Sequence, residues 1–291
     1  MAKGFHATSL CLVLLVTACG RGSSKKRSAP KAAVPDLAIL FVSGHNGPFD
    51  GSPSESYLDL DAGPEIIADL QAAGYTVAAQ YYVDDGYPVG GFSGYLGLLD
   101  DLKAVRDQWV PFGTNVILIA HSHGGVWAHA ATEAIYDVPI RCLVDLDTSS
   151  YGWGLVGHDL QNGLIGYDPR DAFVTSSGTY YDLEDVVFMN VTEALEVRSG
   201  DSPDGIEEYD ESWILRFDGT VTNLWSYFSG TTHNEVHAAG GSTLEVVRDW
   251  LRDRLATNAT RMSGTTARNS VGSSESRRRC WSSAATMGSM Q

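Results

Sequence analysis

The chain has 291 residues, 43% of them hydrophobic, and its 36 Asp and Glu outnumber 20 Lys and Arg to leave a formal charge of −16. That apolar share supports a real core, while the acidic balance repels nucleic acid and other polyanions and favours neutral or cationic substrates. Four cysteines without a Cys-x-x-Cys spacing exclude a disulfide scaffold and a cysteine-based metal centre.

At the N-terminus, Lys3, an apolar run from Leu10 to Val16 and then Thr17-Ala18-Cys19 read as an export signal over residues 1–18. The run is too short to span a bilayer. Val16-Thr17-Ala18-Cys19 resembles the bacterial lipobox, which implies that Cys19 is acylated, becomes the first mature residue and anchors the protein to a membrane. The alternative is an ordinary signal peptide cleaved near Ala18. Gly20 is not the aspartate that, by the same resemblance, retains lipoproteins in the inner membrane, so the expected destination is the outer membrane or cell surface. Residues 19–35 then read as the lipidated cysteine and a flexible basic linker, and 258–291, with Arg277 to Arg279 among Ser and Thr, as a disordered tail. Between them, residues 36–257 form one domain with nine cations against 35 carboxylates, a formal charge of −26.

Within this domain strands and helices alternate. Leu37 to Val42 is a continuous apolar run, the signature of a strand buried on both faces. A helix begins near Pro64 and stops at Gly74, using proline at the start and glycine at the end. A strand from Tyr75 to Tyr82, an amphipathic helix from Phe92 to Trp109 and a strand from Asn115 to Ala120 follow. After them come a helix to Tyr136, strands Ile140 to Leu146 and Val186 to Val191, and a final helix Ser242 to Leu255. This order predicts an α/β fold, a doubly wound, mostly parallel sheet with its site outside the carboxyl ends of the strands. Residues 148–184, rich in Gly and aromatics, break the rhythm and read as a lid-like insertion contacting substrate.

The chemistry concentrates at Ala120-His121-Ser122-His123-Gly124-Gly125, where an apolar strand meets a serine and a small-residue helix. This is the pattern of a nucleophile elbow, a strained strand-to-helix turn that exposes a serine hydroxyl. The turn demands small flanks, so Ala120 and Gly124 are expected to face each other. His121 and His123 sit too near the serine to serve as its base and are expected to line the pocket, and His129 to lie at the surface or an interface. Late in the chain His233 and His237 stand four apart. On a helix face they would offer two zinc ligands, yet no third ligand is identifiable and His-Glu-x-x-His is absent, so no metal site is expected.

Together with Phe41-Val42-Ser43-Gly44-His45-Asn46 and His233 before the last helix, these motifs resemble the α/β-hydrolase superfamily over most of 36–257, in particular its bacterial lipases and esterases. The resemblance implies acyl transfer by Ser122 as nucleophile, with the oxyanion held by the backbone N–H groups of His123 and His45. Ser43 stands where the family has histidine. The base is His233 or His237, the former preferred because a loop position leaves the imidazole room to reach Ser122. The acid is Asp147, as in some lipase branches, or Asp201 at the family's commoner place, with Asp145, Asp204, Glu193 and Glu196 also in reach. The expected activity is hydrolysis of small-molecule or lipid carboxylic esters without a metal or organic cofactor. A thioesterase, phospholipase or peptidase on the same fold, and a non-catalytic binding lipoprotein, are the alternatives.

Overall fold

The computed structural model describes residues 33–45, 57–171, 173–174, 180–200 and 214–263. In chain order its main elements are β1 (Leu37–Val42), α1 (Ala62–Ala72), β2 (Val77–Tyr82), α2 (Tyr95–Gln108), β3 (Asn115–His121), α3 (Gly124–Ala134) and β4 (Ile140–Leu146). After β4 come α4 (Asn162–Ile165), β5 (Phe173–Val174), β6 (Tyr180–Tyr181), β7 (Val186–Val187), β8 (Val191–Arg198), β9 (Leu215–Arg216), β10 (Leu224–Phe228) and α5 (Ser242–Ser263).

Six strands form one sheet in the order β10-β8-β4-β3-β1-β2, and every pairing in it is parallel. Side chains alternate across it. Ala38, Leu40, Val42, Leu118, Ala120 and Leu143 pack beneath α2 and α3, whereas Leu37, Ile39, Phe41, Ile119, Val144 and Leu146 pack beneath α1 and α5. With helices on both faces, β1 and β4 are buried throughout, which is why β1 reads as an unbroken apolar run and β4 is apolar apart from Arg141 and Asp145. This is a doubly wound α/β architecture around a parallel sheet. Among the described residues no helix is long and apolar enough to cross a membrane.

Helix ends follow local chemistry. Gly74 adopts φ +98° just past α1, and its N–H closes on the Gln71 carbonyl, the left-handed stop that glycine permits. The elements differ from expectation at two places. Val186 to Val191 is not one strand: β7 pairs only with β9, and the strand that joins the main sheet is β8. Glu193 and Glu196 disguise it, yet Glu193 meets Arg141 at 3.1 Å and Arg254 at 3.3 Å, and Glu196 is buried. The edge strand β10, short and polar at Ser226, carries no pattern that the sequence reading recognised.

Residues 148–171 and 180–184 contribute to the core rather than only covering it. Trp153, His158 and Leu183 are buried, and the Trp153 ring lies 4.9 Å from that of Trp127 on α3. Register brings the carboxyl ends of the central strands level, pairing Val42 with Ala120, His121 with Leu146 and Leu146 with Val197. The residues immediately after β1, β3, β4 and β8 therefore gather at one edge of the sheet.

Candidate functional site

Ser122 leaves β3 with φ +54° and starts the turn into α3. A non-glycine residue in this left-handed region costs on the order of 1–3 kcal/mol and persists only where neighbours hold it. Here its N–H points to the Leu146 carbonyl at 3.4 Å, and its own carbonyl accepts from Gly125 at 2.9 Å and Ser149 at 3.3 Å. Space is the second constraint. A Cβ on Gly124 would lie 2.3 Å from the Val42 carbonyl oxygen, and one on Gly44 would lie 2.4 Å from Ser122 Cβ and 3.0 Å from its Oγ. Gly124 is thus required by the end of β1, where the backbone of Val42 and Ser43 leaves no room for a methyl group.

Asp147, directly after β4, also has a positive φ, +51°, and is fully buried. By strand alternation it would share the face of Asp145. The left-handed turn instead sends its carboxylate elsewhere: Oδ1 accepts the Ser199 N–H at 2.6 Å and Oδ2 meets His233 Nδ1 at 2.6 Å. Asp145 stays on the α3 side, where its Oδ2 meets His129 Nε2 at 3.1 Å, while His129 Nδ1 faces the Val186 carbonyl at 2.9 Å. His129 is wholly buried, so the expected surface or interface position is wrong. Burial opposes its charge, but the Asp145 carboxylate and both acceptors raise its pKa above the ordinary value.

His233 lies in the loop between β10 and α5, 8% exposed, with its ring 4.5 Å from that of His121. His237 turns to a different carboxylate, Asp61, at 3.2 Å, and packs on the Tyr57 ring at 4.7 Å. Burial lowers the His237 pKa, with Asp61 opposing. His121 is pushed well below the ordinary value by burial, helped by His233 and His237, and is neutral. Its Nε2 then donates to the His233 carbonyl at 3.0 Å and its Nδ1 accepts from the Tyr57 hydroxyl, which in turn accepts the Gly44 N–H at 2.9 Å. This chain joins the turn after β1 to the histidine loop. Tyr57 lies in a stretch without periodic pattern, so nothing in the sequence pointed to it; Ser43 accepts the amides of Tyr57 and Leu58, which explains a hydroxyl there.

Of the two expected oxyanion donors, His45 directly follows the tight Gly44 turn, and the His123 N–H at the start of α3 has no acceptor among the described residues. Glu193 and Glu196 lie within β8, where Glu193 meets Arg141 and Arg254 and neither contacts His233 in place of Asp147. Burial, with Asp145 and Asp147 beside it, raises the Glu196 carboxyl well above the ordinary carboxylate range. Asp201, Asp204, Cys19 and Cys280 lie outside the described residues.

Chemically, the arrangement offers a strained serine, a histidine with one nitrogen held by a buried carboxylate, and backbone donors beside the serine. No family model matches this sequence, and no curated protein matches it with significance. Solved structures similar in fold include Est1E from Butyrivibrio proteoclasticus, 16% identical, covering 77% of this chain and 90% of that one with a TM-score of 0.41. An arylesterase is 13% identical over 76% of this chain and 77% of its own, with a TM-score of 0.43. A structure from a study of two metagenome-derived lipolytic enzymes, LipS and LipT, is 13% identical over 76% and 94%, with a TM-score of 0.42. At such identities and scores likeness concerns the fold at most, and the roles of the residues stand on their own geometry.

Proposed function

We propose that this chain is a serine hydrolase that cleaves carboxylic esters through an acyl-enzyme. Ser122 is the nucleophile, His233 its general base, and Asp147 the group that orients and stabilises the imidazolium. The observation that carries this reading is the 2.6 Å contact between His233 Nδ1 and Asp147 Oδ2, made by a residue whose neighbour Leu146 also receives the Ser122 N–H. With Nδ1–H donated to Asp147, the His233 Nε2 lone pair is left to take the serine proton as Oγ attacks the ester carbonyl. The proton then passes to the leaving alkoxide, the acyl group stays on Ser122, and water reverses the sequence to release the acid. The His123 and His45 amides receive the oxyanion, where one such donor is typically worth about 10²–10³ in turnover. None of these steps needs a metal or organic cofactor. The part of the aromatic segment that carries Tyr151 covers the substrate side, a reading supported by the contact from the Tyr151 carbonyl to the His123 ring.

Labelling with a fluorophosphonate, comparing the native chain with Ser122→Ala, tests the proposal. A covalent adduct on the native protein and none on the variant is the expected outcome. Folded native protein that takes up no Ser122-dependent label overturns it.

A further inference from the structure

At the residue after the serine, three buried side chains from distant parts of the chain converge. Asp84 follows β2, His123 precedes α3, and His158 belongs to the segment after β4. One ligating atom from each lies within 4.8 Å of the others, and all three residues are buried.

The polar contacts around them define which atoms are available. His123 Nε2 faces the Tyr151 carbonyl, which only accepts, so this nitrogen carries the hydrogen and Nδ1 of the neutral ring presents a lone pair. That lone pair faces Asp84 Oδ2 at 3.4 Å. The other carboxylate oxygen, Oδ1, accepts the Trp127 indole N–H at 2.9 Å and meets His158 Nε2 at 3.0 Å. His123 Nδ1 and both ring nitrogens of His158 are buried and make no hydrogen bond among the described residues. Two buried imidazole nitrogens and a carboxylate that converge in a dry site make a ready set of ligands for a cation.

We infer that Asp84, His123 and His158 bind one divalent transition-metal ion, with zinc the best match. Two imidazoles and one carboxylate, leaving a fourth position for a solvent oxygen, suit its tetrahedral preference. Ligands about 2.0–2.1 Å from a tetrahedral ion stand roughly 3.3 Å apart, a spacing that small side-chain shifts reach from three atoms already within 4.8 Å of one another. The surroundings match what metal-bound side chains usually have: the far nitrogen of His123 donates to a backbone carbonyl, and the carboxylate is oriented by an indole N–H. Bound there, the ion clamps the segment carrying His158 to the end of β2 and to the residue after Ser122. It acts on stability and on the posture of that turn and takes no part in bond cleavage, so the binding claim does not depend on the hydrolytic reading.

The untagged chain, stripped with a chelator and titrated with Zn²⁺, tests this by calorimetry and by metal analysis after gel filtration. One ion per chain is expected, with a thermal midpoint raised by a few degrees. Asp84→Asn and His158→Gln each weaken binding by at least about tenfold, on the scale of a lost ligand, while His237→Ala leaves it intact. Absence of stoichiometric binding in the native chain overturns the inference, as does equal affinity in Asp84→Asn and His158→Gln. Where a variant fails to fold, zinc-edge absorption of the native protein decides between two nitrogens and one or two oxygens at about 2.0–2.1 Å, which sustains the site, and a sulfur-containing or all-oxygen sphere, which overturns it.

Discussion

His233 and His237 are separated by one helical turn of sequence, and what distinguishes them is the carboxylate each one faces. His233 meets Asp147, a buried acid with φ +51° tied to the Ser199 amide, whereas His237 meets the half-exposed Asp61. A base in acyl transfer needs a partner that is fixed and shielded from water, since orientation and a low local dielectric are what the acid supplies. His233→Ala is therefore expected to lower kcat for a soluble ester by on the order of 10⁴–10⁶, and Asp147→Asn by about 10⁴. His237→Ala stays within about tenfold of the native rate, on the scale expected for packing around a site. A dead His237→Ala enzyme beside an active His233→Ala one refutes the assignment. At this scale Ser122 was legible because its strand, glycines and helix are neighbours in sequence. Asp147 was one of several acidic residues, because its pairing spans 86 positions and depends on a backbone turn that no side-chain pattern encodes.

At the scale of elements, the elbow works because three chain segments approach within van der Waals contact. Gly124 lies against the Val42 carbonyl and Gly44 against Ser122 itself, so β1, β3 and α3 meet with no room for a methyl group. Gly124→Ala has backbone as its obstacle, and backbone in a parallel sheet yields little. It is expected to cost about 1–3 kcal/mol in chemical denaturation and to abolish labelling of Ser122, while Gly163→Ala, with open space around its Cα, is neutral within about 0.5 kcal/mol. A fully labelled, equally stable Gly124→Ala protein contradicts this account. β1 was legible for the same reason that it is central: covered on both faces, it is built wholly of apolar residues. β8 escaped recognition because its glutamates are neutralised by contacts or burial that only the assembled sheet supplies, and β10 because an edge strand is under weaker compositional demand.

Across the whole molecule, charge is distributed unevenly, with a basic stretch ahead of Asp36 and a strongly acidic domain after it. We propose that Cys19 carries the lipid that holds the protein at a membrane surface, the basic linker adding weak attraction to anionic headgroups. Cys19→Ser is then expected to move the protein from the membrane to the soluble fraction, and an unchanged distribution in cell fractionation removes the anchor from the account. Alternating strands and helices and the serine turn were determined by the sequence alone, because each rests on local sterics or periodicity along the chain. Which histidine meets which carboxylate, the link from Gly44 through Tyr57 and His121 to His233, and the meeting of Asp84 with His123 and His158 were decided only by the tertiary structure. These contacts join residues tens of positions apart, and strand register together with two left-handed turns sets them, so composition and spacing carry no trace of them.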